Sequence, residues 1–178
     1  MKKEIEKILI SEEEIKEICE RLGKEISRDY EGKNLLLVSV LKGAIVFMGD
    51  LMRNITCDCK IDFLSVSSYN GVKTTGHVAF KKDLDLNPEG CDILIVEDIL
   101  DSGITLNYLK GVLMDRQARS IKICAFMDKP GNHKIDINAD YVGKVVPDEF
   151  VVGYGLDYNE KYRNLPYVGV LSPDVYSK

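Results

Sequence analysis

Residues 93–105, which read ILIVEDILDSGIT, decide the fold of this chain. The first four are continuously apolar, as in a strand that is buried on both faces of a parallel sheet. Three acids, Glu97, Asp98 and Asp101, follow at once, although a buried carboxylate is costly unless it is paired. The run therefore predicts a central strand that leaves the core at one edge of a sheet, with the acids just past its end.

Strand and helix patterns alternate on both sides of this run. An amphipathic helix is expected after residues 1–4, with a capping box at Ser11 and Glu14. Further helices are predicted at 43–54 and 102–117, and strands at 34–41, 60–69, 77–82, 92–98, 120–127, 141–146 and 150–154. This order is typical of an α/β domain with a central, mostly parallel sheet flanked by helices. Ligands bind at the carboxyl ends of the strands in such sheets, which is where the three acids are predicted to lie.

Composition narrows the class of protein. A length of 178 residues favours one domain, and a net charge of −5 without a basic run disfavours binding to nucleic acid. No apolar run approaches the length of a membrane span, and no signal sequence is recognisable at the start. Five cysteines, an odd number, are scattered along the chain. These features predict a cytoplasmic protein with reduced thiols and no association with a membrane.

The acidic run ends in a turn that leads into a predicted helix. Ser102, Gly103 and Thr105 are small or hydroxylic, and free N–H groups at a helix N-terminus suit a phosphate. Glu97 and Asp98 would repel a phosphate at the same point, but they can accept hydrogen bonds from vicinal hydroxyls or face a Mg²⁺ ion. The combination indicates a sugar phosphate. The structural alternative is a helix cap at Asp101 or Ser102 beside solvated acids, and the whole run after a buried strand favours the functional interpretation.

The stretch VEDILDSGIT at 96–105 resembles the phosphoribosyl-diphosphate (PRPP) motif of type I phosphoribosyltransferases. Leu41, Lys42 and Gly43 match the pyrophosphate loop of that family, and Ser68 and Tyr69 match the dyad of its flexible active-site loop. Segments 128–130 and 147–171 resemble the base-binding part of hypoxanthine-guanine phosphoribosyltransferases. The resemblance covers nearly the whole chain. It implies the type I phosphoribosyltransferase fold as a single domain, 1–178, with a small hood formed from the N-terminal and C-terminal segments.

The resemblance also implies a reaction. Members of this family transfer the 5-phosphoribosyl group of PRPP to hypoxanthine or guanine, giving IMP or GMP and pyrophosphate, with Mg²⁺ as cofactor. Asp101 is the implied general base near purine N7, and Glu97 and Asp98 hold the ribose hydroxyls or the metal. The 5′-phosphate is wrapped by Ser102, Gly103, Ile104 and Thr105. Pyrophosphate is expected near Arg163 and the 41–43 loop, whose Leu41-Lys42 peptide is often cis in the family.

The implied purine site lies later in the chain. Lys129 is expected opposite purine O6, Phe150 stacked on the ring, and Val151 at its edge through backbone groups. Asp157 is expected to face a second Mg²⁺. Two positions depart from the family pattern: Ile104 stands where many relatives carry a cation, and Glu149 stands where some carry lysine, which bears on the preference between guanine and hypoxanthine.

Three other interpretations are compatible with parts of the pattern. The first is a transferase that prefers guanine or xanthine. The second is a nucleotide-binding regulator with the phosphoribosyltransferase fold, which the negative charge and the absence of an added DNA-binding domain disfavour. The third is a plain phosphate-binding domain, which would not require Lys129, Phe150 and Arg163 in matching order. A homo-oligomer, dimer or tetramer, is expected because it is common in the family.

Overall fold

A computed structural model of the chain describes residues 3–68 and 78–177. The strands are β1 Ile5–Ile10, β2 Leu35–Val40, β3 Cys59–Ser68, β4 Val78–Lys82, β5 Asp92–Leu100, β6 Ser120–Asp128, β7 Tyr141–Val145, β8 Val151–Val152 and β9 Val168–Leu171. The helices are α1 Glu12–Tyr30, α2 Ile45–Met52, α3 Ile104–Asp115 and α4 Pro173–Tyr176, with a 3₁₀ turn at Pro130–Asn132.

Six strands form the main sheet in the order β4-β3-β2-β5-β6-β7. All neighbours in it are parallel except the edge pair β3 and β4. Helices α1 and α2 share one apolar cluster with one face of this sheet, and α3 shares another with the opposite face. The predicted α/β class, with a mostly parallel sheet flanked by helices, is therefore confirmed. No helix in the described part of the chain is long and apolar enough to cross a membrane.

A second sheet of three antiparallel strands, in the order β1-β9-β8, joins the two ends of the chain. We call it the hood sheet. The expectation of helix immediately after residue 4 is wrong, because residues 5–10 pair with β9, with Ile5 opposite Leu171 and Ile10 opposite Val168. Helix α1 begins only at Glu12, where the Ser11 hydroxyl accepts a hydrogen bond from the Glu14 N–H at 3.2 Å, as predicted.

Strand β5 ends at Leu100, two residues beyond the predicted bounds of 92–98. Its ladder with β6 still places Glu97 opposite Ala125 and Leu100 opposite Asp128. Glu97 and Asp98 therefore lie inside the strand rather than past its end, and only Asp101 lies beyond it. Strand β6 is long, and its backbone hydrogen bonds to β5 keep the two acids within the sheet despite the cost of burying carboxylates.

Candidate active site

The two acids of β5, Glu97 and Asp98, have carboxylate oxygens that are buried beside few groups able to compensate their charge. Asp98 is 7% exposed, and the buried Glu97 Oε2 has no hydrogen-bond partner among the described residues. Burial, followed by the neighbouring Asp98 charge, raises the pKa of Glu97 well above its usual value. Burial also raises the pKa of Asp98, although contact with Glu97, backbone N–H groups and the charge of Arg163 act in the opposite direction. Such a pair is suited to bind hydroxyl groups or a cation.

The 41–43 loop lies directly against this pair. A Cβ atom at Gly43 would collide with Asp98 Oδ2, so only glycine allows the backbone to approach the carboxylate this closely. The Leu41-Lys42 peptide is cis, as the family resemblance implied. Lys42 Nζ lies 3.1 Å from both carboxylate oxygens of Glu160, which ties the loop to the segment after β8.

Arg163 is held on the same side of the site. Its guanidinium donates to the Gly155 carbonyl at 2.8 Å and pairs with Asp157 Oδ1 at 2.8 Å and with Glu160 Oε2 at 3.4 Å. A Cβ at Gly155 would meet the Gly43 carbonyl oxygen, so this segment packs on the 41–43 loop. The structure thus brings together Arg163 and the 41–43 loop, the two elements predicted to lie near pyrophosphate. It also places Asp157 beside Arg163, whose contact competes with the predicted metal role of that carboxylate.

The turn between β5 and α3 exposes backbone donors. Gly103 is the N-cap of α3 in the left-handed region, with φ +78°, and among the residues that the structure describes no side chain caps the helix. The alternative of a cap at Asp101 or Ser102 is therefore wrong. The helical hydrogen bonds begin with Asn107 N–H to the Gly103 carbonyl at 2.9 Å, so the N–H groups of the preceding first turn have no acceptor within the helix. Asp101, Ile104 and Thr105 are exposed, and this end of the helix is accessible to an anion.

A second cluster lies where β6 and the hood sheet meet. Lys129 is 7% exposed, and its ammonium donates to the Glu149 carbonyl at 2.7 Å and lies 3.4 Å from Asp148 Oδ1. Phe150, which follows Glu149 in the chain, remains 40% exposed. Val151 is buried in β8 opposite Val170. Lys129, just past the carboxyl end of β6, therefore lies close to the start of β8, where Phe150 and Val151 are found.

The Glu149 side chain pairs with a cation of the hood sheet. Its Oε1 atom forms an ion pair with Lys7 Nζ of β1 at 2.6 Å. The carboxylate that departs from the family pattern is thus engaged by the hood sheet itself.

Sequence reasoning missed several neighbours of the site. His133 had no assigned role, but its Nε2 atom lies 2.8 Å from Asp128 Oδ1 across the 3₁₀ turn; the five-residue spacing of histidine and acid was the available signal. Glu160, Tyr158 and Tyr176 were missed because their contacts are set by the return of distant chain segments. Ser68 is the last residue of β3, while Tyr69 lies outside the described residues, so the loop dyad stays a prediction. Within 3–68 and 78–177, no three His, Cys, Asp or Glu side chains form a group that could hold a metal ion.

The main sheet, the hood sheet and the site between them define a class: α/β domains that bind a phosphorylated ligand at the carboxyl ends of parallel strands. The family model for the phosphoribosyl transferase domain matches residues 7–159. The chain belongs to this family, and the predicted resemblance to phosphoribosyltransferases is confirmed.

Individual relatives agree. The chain is 55% identical over 177 residues to the hypoxanthine-guanine phosphoribosyltransferase of Bacillus subtilis, covering 99% of this chain and 98% of that protein. A crystal structure of a hypoxanthine phosphoribosyltransferase from Staphylococcus aureus superposes with a TM-score of 0.95 at 49% identity, covering 98% and 96% of the two chains. The bifunctional protein TilS/HprT of Listeria monocytogenes is 51% identical over 179 residues. That match covers all of this chain but only 28% of the Listeria protein.

Proposed function

We propose that this chain is a purine salvage transferase that moves the 5-phosphoribosyl group of PRPP to hypoxanthine, and also to guanine, giving IMP or GMP and pyrophosphate. One observation carries the proposal. A single stretch, residues 97–105, sets a buried acid pair beside an uncapped helix N-terminus, so a sugar and its phosphate can be bound by adjacent parts of one turn. We place this activity in the cytoplasm, in a homo-oligomer whose subunits each form a single domain.

The ribose phosphate is assigned to this stretch. Glu97 and Asp98 accept hydrogen bonds from the vicinal hydroxyls. The 5′-phosphate is bound by the first-turn N–H groups of α3, aided by the helix dipole. Because Ile104 is apolar and exposed, no cation at that position assists, and the backbone donors carry the binding.

The carboxylates also fit Mg²⁺. Glu97 Oε2 is buried without a hydrogen-bond partner in the described part of the chain, and carboxylate oxygens are the ligands that this hard cation prefers. Glu97, Asp98 and Asp157 are the residues that would hold it. Bound Mg²⁺ would neutralise charge on the departing pyrophosphate.

The cations of the chain itself serve the same leaving group. Arg163 and Lys42 lie close to each other, since both pair with Glu160. We infer that pyrophosphate replaces that carboxylate as their partner. Holding the leaving group and the acceptor in fixed positions supplies most of the catalysis expected for this reaction.

Base recognition is assigned to the second cluster. The Lys129 ammonium has three donors and no acceptor, so it selects a purine with an oxygen at position 6. Phe150 stacks on the ring, and Val151 offers backbone groups to its edge. Asp101, exposed just beyond β5, accepts the proton from N7 as the new bond forms.

The test is incubation with PRPP, Mg²⁺ and each of hypoxanthine, guanine, xanthine and adenine, with nucleotide measured by mass spectrometry. We expect IMP and GMP, and little product from adenine. A dominant xanthine product would replace the proposed substrates with those of the alternative transferase. No nucleotide from any base would refute the enzymatic function and leave a nucleotide-binding regulator as the better interpretation.

A further inference from the structure

The C-terminal helix places an aromatic ring on the residue that we assign to purine stacking. The rings of Phe150 and Tyr176 are stacked, with centroids 4.9 Å apart and an interplanar angle of 25°. This geometry lies in the range of attractive offset stacking between aromatic side chains. Phe150 directly precedes β8, and Tyr176 is the last residue of α4. No sequence motif or spacing indicates that the two rings are in contact.

The position of Tyr176 is fixed by the hood sheet. The Leu171 N–H donates to the Phe150 carbonyl at 2.8 Å, and the Ser172 N–H donates to the Glu4 carbonyl at 2.8 Å. Val175, one residue before the tyrosine, packs on the apolar cluster that contains Val152 and Leu171. Helix α4 is therefore anchored on both strands that flank β9, and the tyrosine ring is held against Phe150 by this anchoring.

Phe150 is contacted from two directions and is still open. Tyr158 meets it in a T-shaped arrangement, with centroids 5.7 Å apart and planes at 87°, while Tyr176 stacks on it. Despite both contacts, 40% of Phe150 remains exposed. Tyr176 covers one face of the ring, and the 40% of Phe150 that stays exposed leaves surface for a ligand.

We propose that Tyr176 is a positioning residue for the purine: it covers one face of Phe150 and orients the ring so that its open face receives the base. The inference rests on the proposed function, because it requires the base to stack on Phe150. Without the tyrosine, a half-exposed phenylalanine at the start of a short strand would sample several ring orientations, and base binding would have to select one of them. Ordering the ring in advance removes that cost.

The expected consequence is confined to the base. Without the tyrosine, base binding has to immobilise the Phe150 ring, at about 0.5–1.5 kcal/mol for one side chain, which corresponds to a rise in KM for hypoxanthine of about 2- to 12-fold in Tyr176→Ala. The KM for PRPP should stay at the wild-type value, since the acid pair and the α3 turn are unchanged. Tyr176→Phe should retain the wild-type KM for the base, because the stack needs the ring and not the hydroxyl.

Steady-state kinetics with each substrate varied in turn, together with thermal melting of every variant, tests the proposal. Tyr167→Ala is the matched control, since that ring packs on the same hood cluster, and its KM for hypoxanthine should not change. An unchanged base KM in Tyr176→Ala would refute the role of Tyr176, and a lowered KM would show that the tyrosine occupies the purine's own face. Absence of turnover in the wild type would instead refute the proposed function itself.

Discussion

Replacement of Lys129 by methionine tests the chemistry of base recognition most directly. Methionine keeps an unbranched apolar chain of similar length in a position that is only 7% exposed, so packing is largely preserved. What is lost is the ammonium group. Two of its three donors are directed at the Glu149 carbonyl, 2.7 Å away, and at Asp148 Oδ1, 3.4 Å away; the third is the one that we assign to purine O6.

The magnitude follows from that assignment. A hydrogen bond to a charged group contributes about 1.5–3 kcal/mol, so its loss should lower kcat/KM for hypoxanthine and guanine by about 10- to 150-fold. Adenine carries an amino group at the same position and gains nothing from the lysine. Its kcat/KM should change little, and the gap between oxo and amino purines should narrow because the good substrates become worse.

The assay is kcat/KM for hypoxanthine, guanine and adenine with wild type, Lys129→Met and Lys134→Met. Lys134 is a suitable control because it lies in the same loop with an exposed side chain, and its backbone N–H, which donates to the Ser102 carbonyl at 3.0 Å, is retained. Equal values for wild type and Lys129→Met would show that the lysine does not contact the base. An equal loss with all three bases would show that Lys129 acts only through Glu149 and the backbone that it supports.

Three further predictions concern the acidic stretch. Asp101→Asn should lower kcat by about 10²-fold or more, the scale of a lost general base, while the Kd for PRPP stays unchanged by calorimetry; normal turnover in this variant would remove the aspartate from the mechanism. Gly43→Ala should displace the Asp98 carboxylate, which a Cβ at this position would meet. PRPP binding should weaken by at least about 10-fold, the size of one lost charge-assisted contact. An unaltered Kd for PRPP would contradict the role assigned to Glu97 and Asp98. Because burial raises the pKa of Glu97 in the folded state, the folded protein retains a proton that the unfolded chain releases, and stability falls as pH rises from the usual carboxyl range through the raised value. The melting temperature of Glu97→Gln should therefore increase relative to that of the wild type as the pH rises, by about 2–4 °C for each kcal/mol of wild-type destabilisation that the variant lacks. A difference in melting temperature that is constant with pH would refute the argument.

The apolar runs predicted the main sheet well because parallel strands buried on both faces must be continuously apolar. The β5–α3 turn was predictable for a related reason. Gly103 combines a positive φ with a Cβ position that Ile137 already occupies, and a glycine followed by helix-forming residues indicates such a turn. What failed were features that depend on distant partners. Residues 5–10 become a strand because β9 is available, and Glu97 and Asp98 lie inside β5 because β6 continues the ladder.

Side-chain roles were predictable only as far as residue chemistry limits them. A lysine after a strand indicates a donor, but nothing local shows that it is buried against a carbonyl twenty residues away. The pairing of Lys42 with Glu160, which spans 118 residues, could not be inferred from either segment alone. The family resemblance supplied Lys42 and Lys129 as site positions, because it carries the effect of long-range packing that local pattern does not contain, but it indicated neither pairing.

The loop after β6 connects the cluster around Lys129 to the turn before α3. Its hydrogen bonds explain how the two parts of the site proposed to bind the ends of a ribonucleotide can be held at a fixed separation. At its start, the Lys129 N–H donates to the Leu100 carbonyl at 2.9 Å, at the end of β5. Five residues on, the Lys134 N–H donates to the Ser102 carbonyl at 3.0 Å, and Ile137 then packs where a Cβ of Gly103 would lie. The backbone that carries Lys129 is thus bonded on both sides of Asp101. Because of these bonds, the proposed general base is held at a fixed distance from Lys129 and from the α3 turn, which are the parts of the chain proposed to bind the purine and the 5′-phosphate.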